Sequence, residues 1–295
     1  MLSSAWDLLS DVFSRFSRKG GTLLGGAIAF YALLSIAPML VIAVHVAGFA
    51  VSEKIVRRTL TQDLSRWVGT DGADTIFGLL DATLRSTTGG WSSALSVVVL
   101  VYASTQLFDQ LQYALNHVWD VQSKSGDSFR MKALWELRRR TVAFGMVVLV
   151  GVGLFAMVVL KAAMSAIANA VGAVSSEHQL IENALSFILA TALFAVVFKA
   201  IPEVFVRWRD VWLGSAVTAT LFSLGAGLLG MYLGRKGLRS AWGAAGSLVA
   251  LLLWVHYSAQ IFFFGAAFTA EWAIRRGRPI VPNQYAQRVV VEDDG

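Results

Sequence analysis

Asp109 is a carboxylate set in a run that otherwise reads as soluble in hydrocarbon, and it does not stand alone. At about 100° per residue, Tyr102, Gln106, Asp109, Tyr113, Asn116 and Asp120 fall within about 40° of one line. Carboxylate, amide and phenol groups arrayed this way can hold a cation, pass a proton or grip the polar part of a ligand. They can equally tie helices together by hydrogen bonds, at about 0.6 kcal/mol per contact. A charged Asp at the centre of a membrane helix costs on the order of 2.5–3.5 kcal/mol, so such a stripe must meet protein or water, never lipid. Leu100, Leu107, Leu111, Leu115 and Val118 are expected on the opposite side. A cavity lining and an interhelical seam are both open readings of the stripe.

Two further polar lines would suit the same cavity. In "FYALLSIAPMLVIAVH", Tyr31, Ser35, Pro38 and His45 share a helical face. Pro38 cannot donate to the Leu34 carbonyl, which predicts a kink and an unused acceptor, and His45 would add a group that titrates near neutral pH. A kinked helix with a histidine bonded to a neighbour explains the same residues without a ligand. Later in the chain His256, Gln260 and Glu271 lie along one face, and Glu271 stands one turn from Arg275, with which it is expected to pair. The candidate cavity or substrate residues are therefore Tyr31, Ser35, Pro38, His45, Gln106, Asp109, Asn116, His256 and Gln260.

Soluble-enzyme chemistry finds little to work with. His45, His117, His178 and His256 share no HxxxH or HExxH spacing, and there is no P-loop, no GxSxG and no carboxylate cluster fit for two metals. Cysteine is absent, which removes disulfides, thiolate catalysis and cysteine metal sites together. No catalytic residue, cofactor or metal site is predicted, and the chain is not expected to be an enzyme.

The elements that must position the polar lines follow from hydropathy. The 295 residues are 56% hydrophobic and only 15% charged, against roughly 25% charged in a soluble domain, and the mean hydropathy is +0.61. An all-α polytopic membrane protein is predicted, with six spans of about 20 apolar residues or more at roughly 22–50, 91–115, 141–163, 181–201, 211–234 and 243–270. The fourth is the shortest uncharged run, and Lys199 must snorkel at its end. Residues 1–20 carry Trp6, Leu9, Phe13 and Phe16 opposite Asp7, Asp11, Arg15 and Lys19, the pattern of an amphipathic helix lying on the membrane surface. It lacks the short apolar core and cleavage site of a signal peptide. The connection 52–90 reads as a second interfacial element, a pair of short helices with Val56, Leu60, Leu64 and Trp67 on one apolar face and Ile76, Phe77, Leu80 and Leu84 on the other.

Charge placement fixes the expected orientation. With six spans, 16 of the 25 Lys and Arg residues fall on the side of both termini and 9 on the other, so the termini are expected in the cytoplasm and 52–90 outside it. The net charge of +6 is thereby mostly topology, and no nucleic-acid partner is expected. Arg138, Arg139 and Arg140 just before the third span read as headgroup anchors. Residues 1–280 make one membrane domain with no internal repeat, and 281–295 a flexible cytoplasmic tail. Gly230 and Gly234, with Ala226 a turn earlier, and Gly21 and Gly25 have small-residue spacing that suits close helix packing or a homo-oligomer. Membrane lipids are the other expected partners.

Four segments, "AFYALLSIAPML" (29–40), "ALNHVWDV" (114–121), "FKAIPEVFVRWRDVWLGSAVTA" (198–219) and "WGAAGSLVALLLWVHYSAQIFFFGAAFTAEW" (242–272), resemble the signature segments of the YihY/BrkB family of bacterial inner-membrane proteins. The likeness is colinear over nearly the whole chain. It implies a six-helix bundle with cytoplasmic termini, and by motif match it points to Tyr31, Ser35, Pro38, Asn116, Trp119, Pro202, Trp254, Tyr257 and Gly265. Phe198 and Trp242 stand where the family usually carries Tyr. Relatives have been called ribonuclease BN, virulence or serum-resistance factors, and transporters, some linked to export of envelope lipid or lipopolysaccharide. The resemblance thus implies an inner-membrane transporter or translocation factor for an envelope lipid, a lipopolysaccharide-type glycolipid or a small solute. The alternative is a non-transporting assembly partner in envelope biogenesis; a membrane-associated ribonuclease lacks both a metal cluster and an exposed basic domain to hold RNA.

Overall fold

The computed structural model describes residues 2–48, 106–124, 176–233, 246–278 and 280–289, with isolated helical positions between 58 and 81 and between 141 and 160. In chain order the described elements are α1 (Leu2–Arg18), α2 (Gly21–Gly48), α3 (106–118), β1 (Val121–Ser123), α4 (Ser176–Ala200), β2 (Val204–Phe205), α5 (Trp208–Leu233), α6 (Gly246–Arg275), β3 (Val281–Pro282) and β4 (Ala286–Arg288). Among the described residues, Asn183–Ala200, Trp208–Leu228 and Val249–Arg275 are long and apolar enough to cross a bilayer, and α2 adds the shorter apolar stretch Gly21–Ser35. These correspond to the expected fourth, fifth, sixth and first spans. The span expected at 141–163 and most of that at 91–115 lie outside the described residues. Lys199 leaves its apolar run as expected: its ammonium donates to the Val206 carbonyl at 2.5 Å and sits 5.8 Å from the Trp208 ring centre.

The centre of the bundle is α6, which packs against α1, α2 and α5, while α4 packs on α5. The α5–α6 contact is a reciprocal glycine–threonine notch. Gly214 faces Thr269, and Gly265 faces Thr218, so the two helices run antiparallel with backbone against side chain. Each threonine hydroxyl donates one turn back along its own helix, Thr218 to the Gly214 carbonyl at 2.7 Å and Thr269 to the Gly265 carbonyl at 2.8 Å. Small residues allow this approach, as the spacing rule requires, but at Gly214 and Gly265. Gly230 and Gly234, singled out from the sequence, have surroundings outside the described residues.

Three sequence expectations are corrected here. First, α1 is not held by the membrane surface alone. Leu8 and Val12 are buried in the core, and Arg15 reaches Glu271 at the end of α6 at 2.5 Å. Between its apolar and charged faces α1 carries a third face, which docks on the bundle, while Trp6, Leu9 and Phe13 remain exposed. Second, the mainly helical fold carries four short strands among the described residues, and residues 281–289 are not loose. β4 pairs antiparallel with β1, and β3 with β2. The returning chain supplies the backbone partners that the ends of α3 and α4 would otherwise lack. Further bonds join the Lys124 amide to the Tyr285 carbonyl at 2.8 Å and the Val289 amide to the Asp120 carbonyl at 3.0 Å. Third, Ile76 is fully buried together with Leu251 of α6, so this part of the 52–90 connection turns an apolar side chain to protein rather than to the membrane surface.

Candidate functional site

The lower half of α3 is buried almost all round. Leu115 and Val118, expected on the side away from the stripe, are fully enclosed, whereas Tyr113 of the stripe is exposed. The reason lies in the neighbours: α1, α2, α6 and the turn after α4 enclose most of this end of the helix and leave Tyr113 as its exposed position. The polar residues here form a latch. The Asn116 amide donates to Glu203 Oε2 at 3.2 Å, and its carbonyl accepts from the Glu203 backbone amide at 2.9 Å. The Ser123 hydroxyl donates to the same carboxylate oxygen at 2.5 Å, and Gln112 donates to the Ile201 carbonyl at 3.1 Å. Pro202 is buried between them. Asn116 is thereby placed in a structural seam between α3 and the α4–β2 turn rather than beside open space.

Trp119 completes this end. Its indole donates to the Ala266 carbonyl of α6 at 2.8 Å, and its ring lies 6.3 Å from that of Phe198. Phe198 is fully buried and packs 4.9 Å from the Phe262 ring. A hydroxyl at 198 would enter an aromatic core, which gives a packing reason for Phe at this position. Trp242 lies outside the described residues.

The Trp119–Ala266 bond sets a register. α3 and α6 both approach it from their N-terminal sides, so ten residues back along each, about 15 Å at 1.5 Å per residue, stand Asp109 and His256. His256 and Gln260 are joined through Nε2 atoms 2.7 Å apart. Gly25 of α2 lies against this pair: a Cβ there would stand 3.0 Å from Gln260 Cγ and 3.3 Å from the His256 carbonyl. The glycine is what lets α2 close on α6 at this level. Asp109 and Gln106 are half-buried on α3, Tyr31 is half-buried and Ser35 fully buried on α2. Pro38 and His45 lie on α2, which continues as helix through both, but their side chains are outside the described residues. The structure thus brings His256 and Gln260 together at Gly25 and holds Asn116 on Glu203, and helical rise alone counts Asp109 to about the level of His256.

A charged cluster closes the base of the bundle. Arg15 donates to Glu271 at 2.5 Å, to Asp120 at 2.6 Å and to the Val118 carbonyl at 3.1 Å, and Lys19 also pairs with Asp120. Glu271 is therefore held by α1, and Arg275, its expected partner, reaches Asp11. Asp120 caps α3 with φ of 57°, a left-handed conformation that Asp adopts more readily than most residues. Burial alone would raise the Asp120 pKa, but bonds from Lys19 and Arg15 and their charges hold it below the usual carboxylate value. Burial works against the Arg15 charge, yet Glu271 and Asp120 raise its pKa further. Burial, then the nearby Lys19 charge, lowers the His117 pKa. Arg278 pairs with buried Asp210 at 3.0 Å on the other flank. Sequence reasoning missed Glu203 and the Arg15 bridge. A carboxylate directly after Pro202 in a turn was a usable signal for the first; nothing local marked the second. Among the described residues no group of three or more His, Asp or Glu side chains converges as metal ligands would.

Apolar helices long enough to span a bilayer, a small-residue helix seam and buried polar pairs inside it define a helical integral membrane protein. The sequence model described as Virulence factor BrkB matches residues 12–289, and the chain belongs to that family. It is 26% identical over 268 residues to a UPF0761 membrane protein of Neisseria meningitidis, covering 90% of this chain and 63% of that protein. A UPF0761 membrane protein of Albidiferax ferrireducens is 24% identical over 263 residues, covering 87% of this chain and 60% of the relative. The chain thus spans somewhat under two thirds of the length of these relatives. No solved structure matches.

Proposed function

We propose that the chain is a transport or translocation protein of the bacterial inner membrane, with both termini cytoplasmic. The polar part of an envelope lipid, glycolipid or small solute would pass the level defined by Asp109, His256 and Gln260. What supports this reading is the His256–Gln260 pair of α6 set against Gly25 of α2, with half-buried Asp109 counted by helical rise to about the same level on α3. Polar groups at membrane depth are costly, and pathways are the common reason for keeping them. Tyr31 and Ser35, about 9 and 15 Å farther along α2 from Gly25, extend the line.

A second reading has its own support. It is supported by the Asn116–Glu203–Ser123 latch, in which one residue of the stripe, Asn116, ties α3 to the turn after α4. An assembly partner without transport would use the whole stripe in that way. The test is mass spectrometry of lipids and solutes that co-purify with wild type and with Asp109→Leu at equal folded yield. Enrichment of one class that vanishes in the variant supports transport of that class. Identical, unselective profiles favour the assembly reading.

A further inference from the structure

A groove of about 410 Å³ runs between the α1–α2 turn and α3. Its mouth carries Arg18, Lys19, Tyr113 and His117, and its floor is mainly apolar, with Ala27 and Ile28 of α2 facing Ala114 of α3 and Gln110 at the far end. Tyr113 and His117 stand as parallel rings 6.2 Å apart and form one wall. Gly20, with φ of 62°, allows α1 to end and α2 to begin within two residues, which brings the two cations to the head of the apolar floor. Above the groove α2 presents Leu23, Phe30 and Leu34 outward, 80%, 56% and 54% exposed. Those three lie on one helical line that continues the floor upward. Beside the mouth, α1 presents Trp6, Leu9 and Phe13, the residue types that settle at a headgroup boundary.

We propose that this groove binds an anionic phospholipid, its phosphate at Arg18 and Lys19 and an acyl chain along the Leu23–Phe30–Leu34 line. The charge sum at the base supports an anion: Arg15, Lys19 and Arg18 outnumber Asp120 and Glu271 by one. Charge asymmetry along the chain puts this end toward the cytoplasmic leaflet, where anionic lipid is available to basic residues. An apolar floor continuous with an exposed apolar helix face suits a lipid better than a free anion, which would gain nothing from it. The site does not depend on the proposed pathway residues, because its lining includes none of Asp109, His256 and Gln260.

The experiment is native mass spectrometry of the full chain in detergent, titrated with phosphatidylglycerol, phosphatidylcholine or inorganic phosphate. Phosphatidylglycerol is expected to be retained about fivefold or more over phosphatidylcholine. Arg18→Gln, at an exposed position, is expected to lose about fivefold, the roughly 1 kcal/mol of one basic residue at an anionic surface. Tyr113→Ala, also exposed, should weaken retention without changing thermal stability. Asp109→Leu should leave it unchanged, which separates this site from the proposed pathway. Equal retention of the two lipids, undiminished phosphatidylglycerol binding in Arg18→Gln/Tyr113→Ala, or displacement of the lipid by an equal concentration of inorganic phosphate would each overturn the proposal.

Discussion

Replacing Gly265 by alanine tests whether the glycine–threonine notch determines how α5 meets α6. The new Cβ would lie 2.9 Å from Thr218 Cβ and 3.2 Å from its Cγ2, and well inside the envelope of Oγ1, where ordinary contact begins at 3.4 Å. Thr218 has little freedom to yield, because its hydroxyl is bonded to the Gly214 carbonyl at 2.7 Å and the residue is fully buried. The helices must therefore part, and overpacking of this kind costs about 1–3 kcal/mol. Thr218→Ala alone should cost about 1 kcal/mol in lost contacts and one modest hydrogen bond. Combined with Gly265→Ala it removes the Oγ1 and Cγ2 clashes but leaves the two Cβ atoms about half an ångström too close. The double variant should then be more stable than the sum of the singles predicts, by about 0.5–1.5 kcal/mol. Equilibrium unfolding in mixed micelles, followed by the fluorescence of the 10 tryptophans, reads all four corners of the cycle. Strict additivity, or a Gly265→Ala variant as stable as wild type, would refute the notch.

Two further outcomes follow from the base of the bundle. Asn116→Ala leaves the Glu203 amide and carboxylate short of partners in a buried setting and should cost about 2–3 kcal/mol in the same unfolding assay. Asn116→Asp should be worse, because it places a second carboxylate against Glu203; a neutral result for either would mean that the latch is not closed in the membrane. Thermal stability should also fall with pH in two steps. His117 is held below its ordinary value of 6.5, so its contribution is complete above that pH and is lost as the pH falls through its lower folded value. Asp120, held below 3.8, contributes above that value and loses its contribution as the pH falls through its lower folded pKa. His117→Gln should flatten the first step and Asp120→Asn the second, Asn being tolerated at a left-handed position. A melting temperature that rises as the pH falls from 7 to 5 would contradict the sign of the first step, and one that rises as the pH falls below 3.8 would contradict the sign of the second.

Much of the architecture could be read from local composition. Apolar length placed α2, α4, α5 and α6, because a helix that must satisfy its backbone in hydrocarbon leaves few alternatives. The amphipathic pattern of α1 marked it as a helix, and the position of Lys199 predicted that its ammonium would leave the apolar run. Family membership was likewise carried by four short segments, and Asn116, Trp119, Pro202 and Gly265 within them prove to be the residues that hold α3, α4, α5 and α6 in register.

What the sequence could not supply was the set of partners. A helical wheel orders side chains around an axis but does not say what surrounds that axis, so it put Leu115 and Val118 away from the polar stripe that faces protein or water and Tyr113 on it. Burial reverses all three, because α1, α2, α6 and the turn after α4 close around the lower half of α3. Glu271 illustrates the same limit: its neighbour four residues on was the obvious mate, yet Arg15, 256 positions away, takes the bond. The tail read as loose because strands of two and three residues carry no periodicity of their own. They exist only where the ends of α3 and α4 offer unpaired backbone. The hydrocarbon solvent determined from the sequence which segments become helices; only the packing of those helices on one another decided which polar residues became seams and which stayed at the rim of the groove.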